Sequence, residues 1–186
     1  MSERVVTLDG TTLNTLDVHD VAHGFASVQI AQEAMMKVHS SRNVVERIVE
    51  GDETVYGINT GFGSLVNTQV SKDDVERLQL NLIRSHATGL GSNLPTEIVR
   101  AMMCVRLNSL VKGHSGCHPD VVLQLLEFIN HSIHPIVPRI GSLGASGDLA
   151  PLSHLACALI GEGRVEYNGE IIEALDAIQP VSYTHL

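Results

Sequence analysis

The 186-residue sequence has very few aromatic residues, which make up 3% of the chain, and it has no tryptophan. Apolar residues nevertheless reach 44%, so leucine, isoleucine, valine, alanine and methionine must build the interior. Side chains of this kind favour helices that pack through many aliphatic contacts. The chain carries more apolar surface than a small isolated domain usually buries, and we expect it to pack on further protein.

Basic residues are also scarce. Twelve Lys and Arg stand against 21 Asp and Glu, for a net charge of −9. A surface that binds nucleic acid needs a basic face, so nucleic acid is not expected as a partner. The sequence has no apolar run long enough for a membrane span and no apolar core of a secretory signal. Three widely spaced cysteines, Cys104, Cys117 and Cys157, favour free thiols and a cytoplasmic location over a disulfide framework.

Helical spacing of apolar residues dominates the chain and predicts a mainly α fold with a few short strands and one β-hairpin. The pattern predicts helix over residues 15–48, with breaks near Gly24 and around Ser40-Ser41. A capping-box pattern at Ser71 predicts a helix that ends near residue 88.

The remaining elements follow from proline and turn signals. Three prolines stand where further helices are predicted to begin: Pro95, Pro119 and Pro151. Asn168-Gly169 predicts a hairpin over residues 164–172, and VVTLDG at 5–10 predicts a short strand and turn. HPIVPRI, residues 134–140, contains two prolines and is not expected to form a buried strand.

The stretch GSLGASGDLAP, residues 141–151, places a serine among small residues and three glycines. A hydrolase nucleophile elbow would need a second glycine two residues after the serine, and here it follows directly. The glycine spacing fits neither a dinucleotide fingerprint nor a phosphate loop, while a loop that only caps the next helix stays open. The residue types fit backbone cyclisation better. In that reaction the Gly147 nitrogen attacks the Ala145 carbonyl, and Ser146 loses water to leave an exocyclic alkene.

Three blocks of sequence together carry a family resemblance. The glycine-rich stretch continues as GSLGASGDLAPLSHLACALIGEG, VYGINTGFG spans 55–63, and LQLNLIRSHATGLG spans 78–91. In combination the blocks resemble the aromatic amino-acid ammonia-lyase family, and the resemblance covers nearly all of residues 5–180. It implies that the Ala-Ser-Gly triplet forms the 4-methylidene-imidazol-5-one group (MIO) autocatalytically, with no metal.

The resemblance also implies roles for two further side chains. Tyr56 would be catalytic and take part in proton transfer, although outside the motif it would be an ordinary loop tyrosine. His86 would bind the substrate, because the Ser85-His86 pair resembles family members that act on histidine, whose imidazole needs a polar partner. Asn59 and Thr60 are expected to shape the same loop as Tyr56.

The implied substrate is the small molecule L-histidine, which would lose ammonia non-oxidatively to give trans-urocanate. By the resemblance, family members that act on tyrosine tend to have His-Leu at the position of Ser85-His86, and those that act on phenylalanine tend to have Phe-Leu. A tyrosine or phenylalanine ammonia-lyase is therefore the alternative within the family.

Histidine spacing gives only weak indications of metal sites. His19 and His23 lie four residues apart with an acid between them, but the glutamate of the metalloprotease motif is absent, so surface histidines are the preferred interpretation. A second set of possible ligands matches no standard zinc pattern: His114, Cys117, His118, His131 and His134.

By the resemblance, further active-site residues would follow downstream of this chain. Residues 1–181 are therefore expected to be an incomplete, ring-bearing N-terminal region, and SYTHL at 182–186 a non-native tail. The complete enzyme is expected to be a homotetramer, and the isolated chain to have little or no activity. A non-catalytic helical fragment or interaction module is the alternative outside enzymology.

Overall fold

The fold is mainly α, as the helical spacing predicts. The computed structural model describes residues 4–51, 55, 57–60, 72–142, 147 and 149–179. The helices in these ranges are α1 (Thr15–Ala22), α2 (Gln32–Glu50), α3 (Lys72–His86), α4 (Thr96–Leu110), α5 (Pro119–Asn130), α6 (Leu149–Leu159) and α7 (Ala174–Ile178). The strands are β1 (Arg4–Leu8), β2 (Ala26–Ile30), β3 (Leu90–Asn93), β4 (His134–Pro135), β5 (Pro138–Ile140), β6 (Arg164–Tyr167) and β7 (Glu170–Glu173). Within these ranges no helix combines the length and apolarity that crossing a membrane requires.

Helices α4 and α5 supply the centre of the core. Their apolar residues recur at helical spacing and turn one face of each helix inward. The fully buried side chains of these helices include Val99, Met103, Leu107, Val122, Leu125 and Phe128. Helices α1 and α2 and the strands β1 and β2 pack around them in the same apolar cluster. With so few aromatic residues, shape-matched aliphatic side chains fill most of this volume.

Within the described ranges, strands form three small sheets at the edges of the helical core. β1 and β2 pair in parallel, β3 pairs antiparallel with β5, and β4, β6 and β7 form an antiparallel sheet in that order. The predicted hairpin is confirmed as β6–β7. Asn168 and Gly169 have φ of +53° and +81°, as the two central residues of a type I′ turn require.

The predicted break near Gly24 is confirmed, but the helix predicted to follow it directly is wrong, because β2 follows that glycine. Gly24, with φ of +73°, lies just beyond the end of α1. β2 then pairs with β1 in register from Arg4↔Ala26 to Leu8↔Ile30. The side chain of Asn130 completes its other edge by bonding both N–H and C=O of Val28 at 2.9 Å.

The predicted break at Ser40-Ser41 is also wrong, because α2 runs through both serines. Ser40 Oγ donates to the carbonyl of Met36 one turn earlier, at 2.9 Å, which satisfies the hydroxyl inside the helix. Ser41 Oγ accepts from the Gly116 N–H at 2.9 Å. The Ser41 hydroxyl, which by local preference favours the end of a helix, is therefore hydrogen-bonded to the distant loop that contains Gly116.

The expectation that residues 134–140 form no buried strand holds for β5, which is partly or fully exposed, and is wrong for β4, whose two residues are buried. Each of the two short strands there, β4 and β5, pairs with a single neighbour, so each is an edge strand. Pro138 is the first residue of β5, and Pro135 ends β4. Edge and first-residue positions tolerate proline because no ladder donor is needed there.

Arg100 ties three helices together from inside the core. The side chain is 6% exposed. Its Nε donates to Val21 O at the end of α1 (2.9 Å), and its Nη1 donates to Ile129 O at the end of α5 (3.0 Å). Nη1 also lies 3.0 Å from His134 Nε2. The negative ends of two helix dipoles therefore compensate the buried cation.

His134 should make the protein less stable in mild acid. Burial, reinforced by the nearby Arg100 charge, lowers the pKa of His134 from 6.5 to about 4. Unfolded chains bind that proton near pH 6.5 and the folded chain does not, so the free energy of unfolding falls as the pH drops from 6.5 towards 4. We expect a loss of up to about 3 kcal/mol from this group. Urea unfolding at pH 7.0, 5.5 and 4.5 measures it.

The matched comparison uses His134→Gln and His131→Gln. Glutamine at 134 keeps an acceptor for Arg100 but does not titrate, so its stability should vary clearly less with pH. His131 is an exposed histidine, so His131→Gln controls for the exchange of histidine for glutamine itself. Equal pH dependence in parent and His134→Gln would contradict the assignment.

Candidate active site

The predicted site residues divide between described and undescribed parts of the chain. Tyr56, Ala145 and Ser146 lie outside the described residues. Gly147 and His86 lie within them. Gly147 has φ of +70°, and among the described residues a Cβ built on it would meet no atom within 4 Å. The third residue of the triplet therefore has a left-handed backbone that favours glycine.

Strand β5 and helix α6 hold the two ends of the Ala-Ser-Gly segment. β5 ends at Ile140 and α6 begins at Leu149. β5 is paired with β3, with Leu90 opposite Ile140 and Asn93 opposite Pro138. Because β3 begins at the end of the block that contains His86 and the glycine-rich block directly follows β5, this pairing brings two of the three resembling blocks together.

Gly89 lies at the junction of these segments and has no room for a side chain. A Cβ on Gly89 would lie 2.8 Å from His154 Nε2 and 2.9 Å from Pro138 Cβ. A Cβ on Gly141, which has φ of +145°, would lie 2.8 Å from Gly89 Cα. Real Cβ atoms essentially never come this close, so the two backbones meet through their glycines.

His154 connects α6 to the same glycine. Its Nε2 accepts a hydrogen bond from the Gly89 N–H at 3.0 Å. An imidazole nitrogen can accept only when it carries no proton, so His154 is neutral with its proton on Nδ1. Partial burial supports this state, because desolvation lowers the pKa of His154 below its usual value.

An ion pair joins the same two blocks at the surface. Arg84, near the end of α3, donates from Nε to both carboxylate oxygens of Glu162 at 3.1 and 3.0 Å, and Nη2 also donates to Oε1. The hydrogen bonds from Arg84 lower the pKa of the Glu162 carboxyl. Both side chains are substantially exposed, so the pair fixes orientation more than it adds stability.

His86 ends α3 with one ring nitrogen already used. Its Nδ1 lies 2.8 Å from Leu82 O and 3.1 Å from Ser85 Oγ. A nitrogen facing a carbonyl must donate, which puts the proton on Nδ1 and leaves a lone pair on Nε2. In the described part of the chain nothing bonds to that Nε2. His86, which is half-buried, therefore offers an acceptor to a ligand's N–H.

Asn59 and Thr60 fold the loop that contains Tyr56. Asn59 is 5% exposed and its Oδ1 accepts from the Val55 N–H at 2.8 Å. Thr60 is 2% exposed and its Oγ1 accepts from the Gly57 N–H at 3.3 Å. The expectation that these two residues shape the loop is confirmed for the described positions that flank residue 56.

Sequence reasoning gave no role to Gly89, His154, Arg84 or Glu162. All four lie inside the resembling blocks, and His154 is a histidine in an otherwise largely apolar helix. These features could have marked them as site residues. Their partners could not be read from the sequence, since 65 residues separate Gly89 from His154 and 78 separate Arg84 from Glu162.

The histidines considered as metal ligands do not gather into a site within the described ranges. No group of three or more His, Cys, Asp or Glu that could hold a metal is found there. His19 and His23 stack on each other with ring centroids 4.3 Å apart. His118 and His131 each lie beside a carboxylate of their own helix.

Comparison with known proteins identifies the family of this chain. The model of the aromatic amino acid lyase family matches residues 13–186, and the chain belongs to that family. The resemblance seen in the three sequence blocks is thereby confirmed.

Individual relatives match nearly the whole chain. Histidine ammonia-lyase of Bacillus subtilis (strain 168) is 50% identical over 185 residues, which are 97% of this chain and 36% of that protein. The crystal structure of histidine ammonia-lyase from Trypanosoma cruzi is 37% identical with a TM-score of 0.87, covering 98% of this chain and 35% of that one.

A third similar protein is described as acting on a different substrate. Ergothionase from Treponema denticola, an ergothioneine-degrading enzyme, is 33% identical with a TM-score of 0.90, covering 95% of this chain and 35% of that one. The chain thus spans about a third of the length of the curated relatives it matches.

Gly89→Ala should destabilise the protein, because its new Cβ would collide with His154 and Pro138. We expect a loss of about 1–3 kcal/mol in the free energy of unfolding, as for other overpacked sites. Chemical denaturation measures it. Gly51→Ala is the matched control, since Gly51 also lacks a positive φ and its nearest neighbour lies 3.2 Å from a built Cβ. An effect at residue 89 no larger than that control would contradict the close contact.

Proposed function

We propose that this chain is the ring-bearing part of an ammonia-lyase that converts L-histidine to trans-urocanate and ammonia. The observation that carries the proposal is the junction at Gly89. There the chain that follows His86 contacts β5 and α6, the two elements that flank the Ala-Ser-Gly segment. Family membership and the 50% identity to curated histidine ammonia-lyases support the same activity.

The Ala-Ser-Gly triplet is proposed to cyclise without any other protein. The nitrogen of Gly147 bonds to the carbonyl carbon of Ala145, whose oxygen leaves as water, and Ser146 loses its hydroxyl and α-hydrogen as a second water. The left-handed backbone of Gly147 fits this product. The ring supplies an electrophile for the substrate's amino group, which turns that group into a better leaving group.

Tyr56 and His86 are proposed to act directly on the substrate. Elimination requires removal of a proton from the β-carbon, and Tyr56 is assigned to that transfer. Nε2 of His86 would accept a hydrogen bond from the substrate's imidazole N–H. A tyrosine or phenylalanine side chain lacks that ring N–H, so an acceptor here favours histidine.

Assembly beyond this chain is part of the proposal. Leu90 and Ile140, paired beside the site, are 72% and 66% exposed. An apolar pair at that exposure suits coverage by further protein, in line with a cytoplasmic homotetramer. The 186 residues account for about a third of the relatives' length, and alone they are expected to turn over little or no histidine.

Intact mass of the purified chain tests ring formation directly. Loss of two waters lowers the mass by about 36 Da. Ser146→Ala cannot lose the second water to form the alkene, so it should lack this deficit. A parent chain at its unmodified mass would contradict autocatalytic cyclisation in this protein, while a deficit that persists in Ser146→Ala would place the chemistry elsewhere.

Substitution of His86 tests the substrate. We would join residues 1–181 to the remainder of Bacillus subtilis histidine ammonia-lyase, in place of the part that this chain matches. In this chimera His86→Leu should lower kcat/KM for histidine about 10- to 200-fold, because the imidazole loses a buried polar partner. Release of trans-urocanate, followed by ultraviolet absorbance, gives the rate.

The control in the same chimera is His131→Leu. His131 ends α5 as His86 ends α3, with Nδ1 on the carbonyl one turn earlier, but it is exposed. It should leave the rate unchanged. An active chimera in which His86→Leu prefers histidine as strongly as its parent would contradict the assigned role.

A further inference from the structure

We propose that His154 is a positioning residue, which fixes the spacing between the two ends of the ring-forming segment through its hydrogen bond to Gly89. The link to cyclisation rests on the function proposed above. The hydrogen bond itself does not, so the two can be tested separately.

Both ends of the segment meet at Gly89. At the entry, Gly141 directly follows β5 and its backbone touches Gly89, since a Cβ on Gly141 would lie 2.8 Å from Gly89 Cα. At the exit, α6 begins at Leu149, and five residues later His154 accepts the Gly89 N–H at 3.0 Å. One backbone residue therefore connects the strand that enters the segment with the helix that leaves it.

Two elements fix the position of Gly89. His154 of α6 and Pro138 of β5 both lie where a side chain of Gly89 would be, and Pro138 Cβ is 2.9 Å from a Cβ built there. The pairing of Leu90 with Ile140 extends this contact along β3 and β5. Removing the His154 acceptor would leave the Gly89 N–H unpaired and release α6 from the glycine, while the strand pairing remains.

Cyclisation makes this spacing matter. The amide nitrogen of Gly147 must reach a carbonyl carbon only two residues back, which requires a closely held geometry before any bond forms. A misplacement of about 1 Å in such reactions can cost about 100-fold in rate. His154 lies on the helix that directly follows the segment. Its hydrogen bond to Gly89, which also contacts β5, therefore fixes the distance between β5 and the end of the segment that contains the attacking Gly147 nitrogen.

Three variants of the 186-residue chain separate the hydrogen bond from packing. His154→Leu keeps bulk and removes the acceptor. In His154→Gln, Oε1 extends about as far as the lost Nε2 and can accept the Gly89 N–H, whereas the shorter amide of His154→Asn cannot. Val28→Ala, a core change in β2, serves as a control for general destabilisation.

Two readouts are taken on each variant. Amide exchange at Gly89, followed by NMR, should be about tenfold faster in His154→Leu and His154→Asn and near the parent rate in His154→Gln. The fraction of chains with the two-water mass deficit, sampled over time after synthesis, should rise at least about tenfold more slowly in the same two variants.

The outcomes decide both proposals. Unchanged Gly89 exchange in His154→Leu would overturn the positioning role. So would Val28→Ala slowing ring formation as much as His154→Leu, or His154→Gln failing to restore it. A parent chain that never loses water would instead refute cyclisation as proposed, and faster Gly89 exchange in His154→Leu would still establish the bond that holds the segment's two ends.

Discussion

Backbone contact at Gly89 controls the geometry around the candidate site. The residue touches α6 through its N–H and β5 through Pro138 and Gly141, and none of these contacts leaves room for a Cβ. Side chains can absorb a displacement by changing rotamer, but two glycine backbones in contact cannot. His86 lies three residues before Gly89, so the position of the end of α3 depends on the same contact.

The helical core supports this junction from behind. β3 is followed almost immediately by α4, and the Leu94 N–H between them donates to Val137 O at 2.8 Å, just before β5. Helix α4 then enters the apolar cluster with Met103 and Leu107, which are fully buried. The junction is therefore supported by a helix of the buried core, and a precise active-site geometry needs such support.

Local signals in the sequence predicted much of the fold. Pro95 and Pro119 mark the starts of α4 and α5, and Asn168-Gly169 marks the hairpin, because each fixes its own backbone angles. The errors all depend on distant partners: β2 needs β1 and Asn130, the uninterrupted α2 keeps Ser41 in position for Gly116, and β4 and β5 need β6 and β3.

The candidate site shows the same division. Gly147 was predicted because its residue type suits backbone cyclisation, whereas His86 was predicted from the family resemblance. Gly89 and His154 carry no such chemistry by themselves. Their importance lies in a hydrogen bond between residues 65 positions apart, and only the three-dimensional structure reveals it.

Arg100 and Asn130 also determine when the N-terminal part of the chain can finish folding. The carbonyl of Val21 at the end of α1 is hydrogen-bonded by Arg100, 79 residues later in the chain. The outer edge of β2 is hydrogen-bonded by the amide of Asn130, 102 residues beyond Val28. On the ribosome, therefore, the first βαβ unit emerges before the partners of these backbone groups have been made. It completes these native contacts only after α5 has been synthesised, so this region finishes folding late.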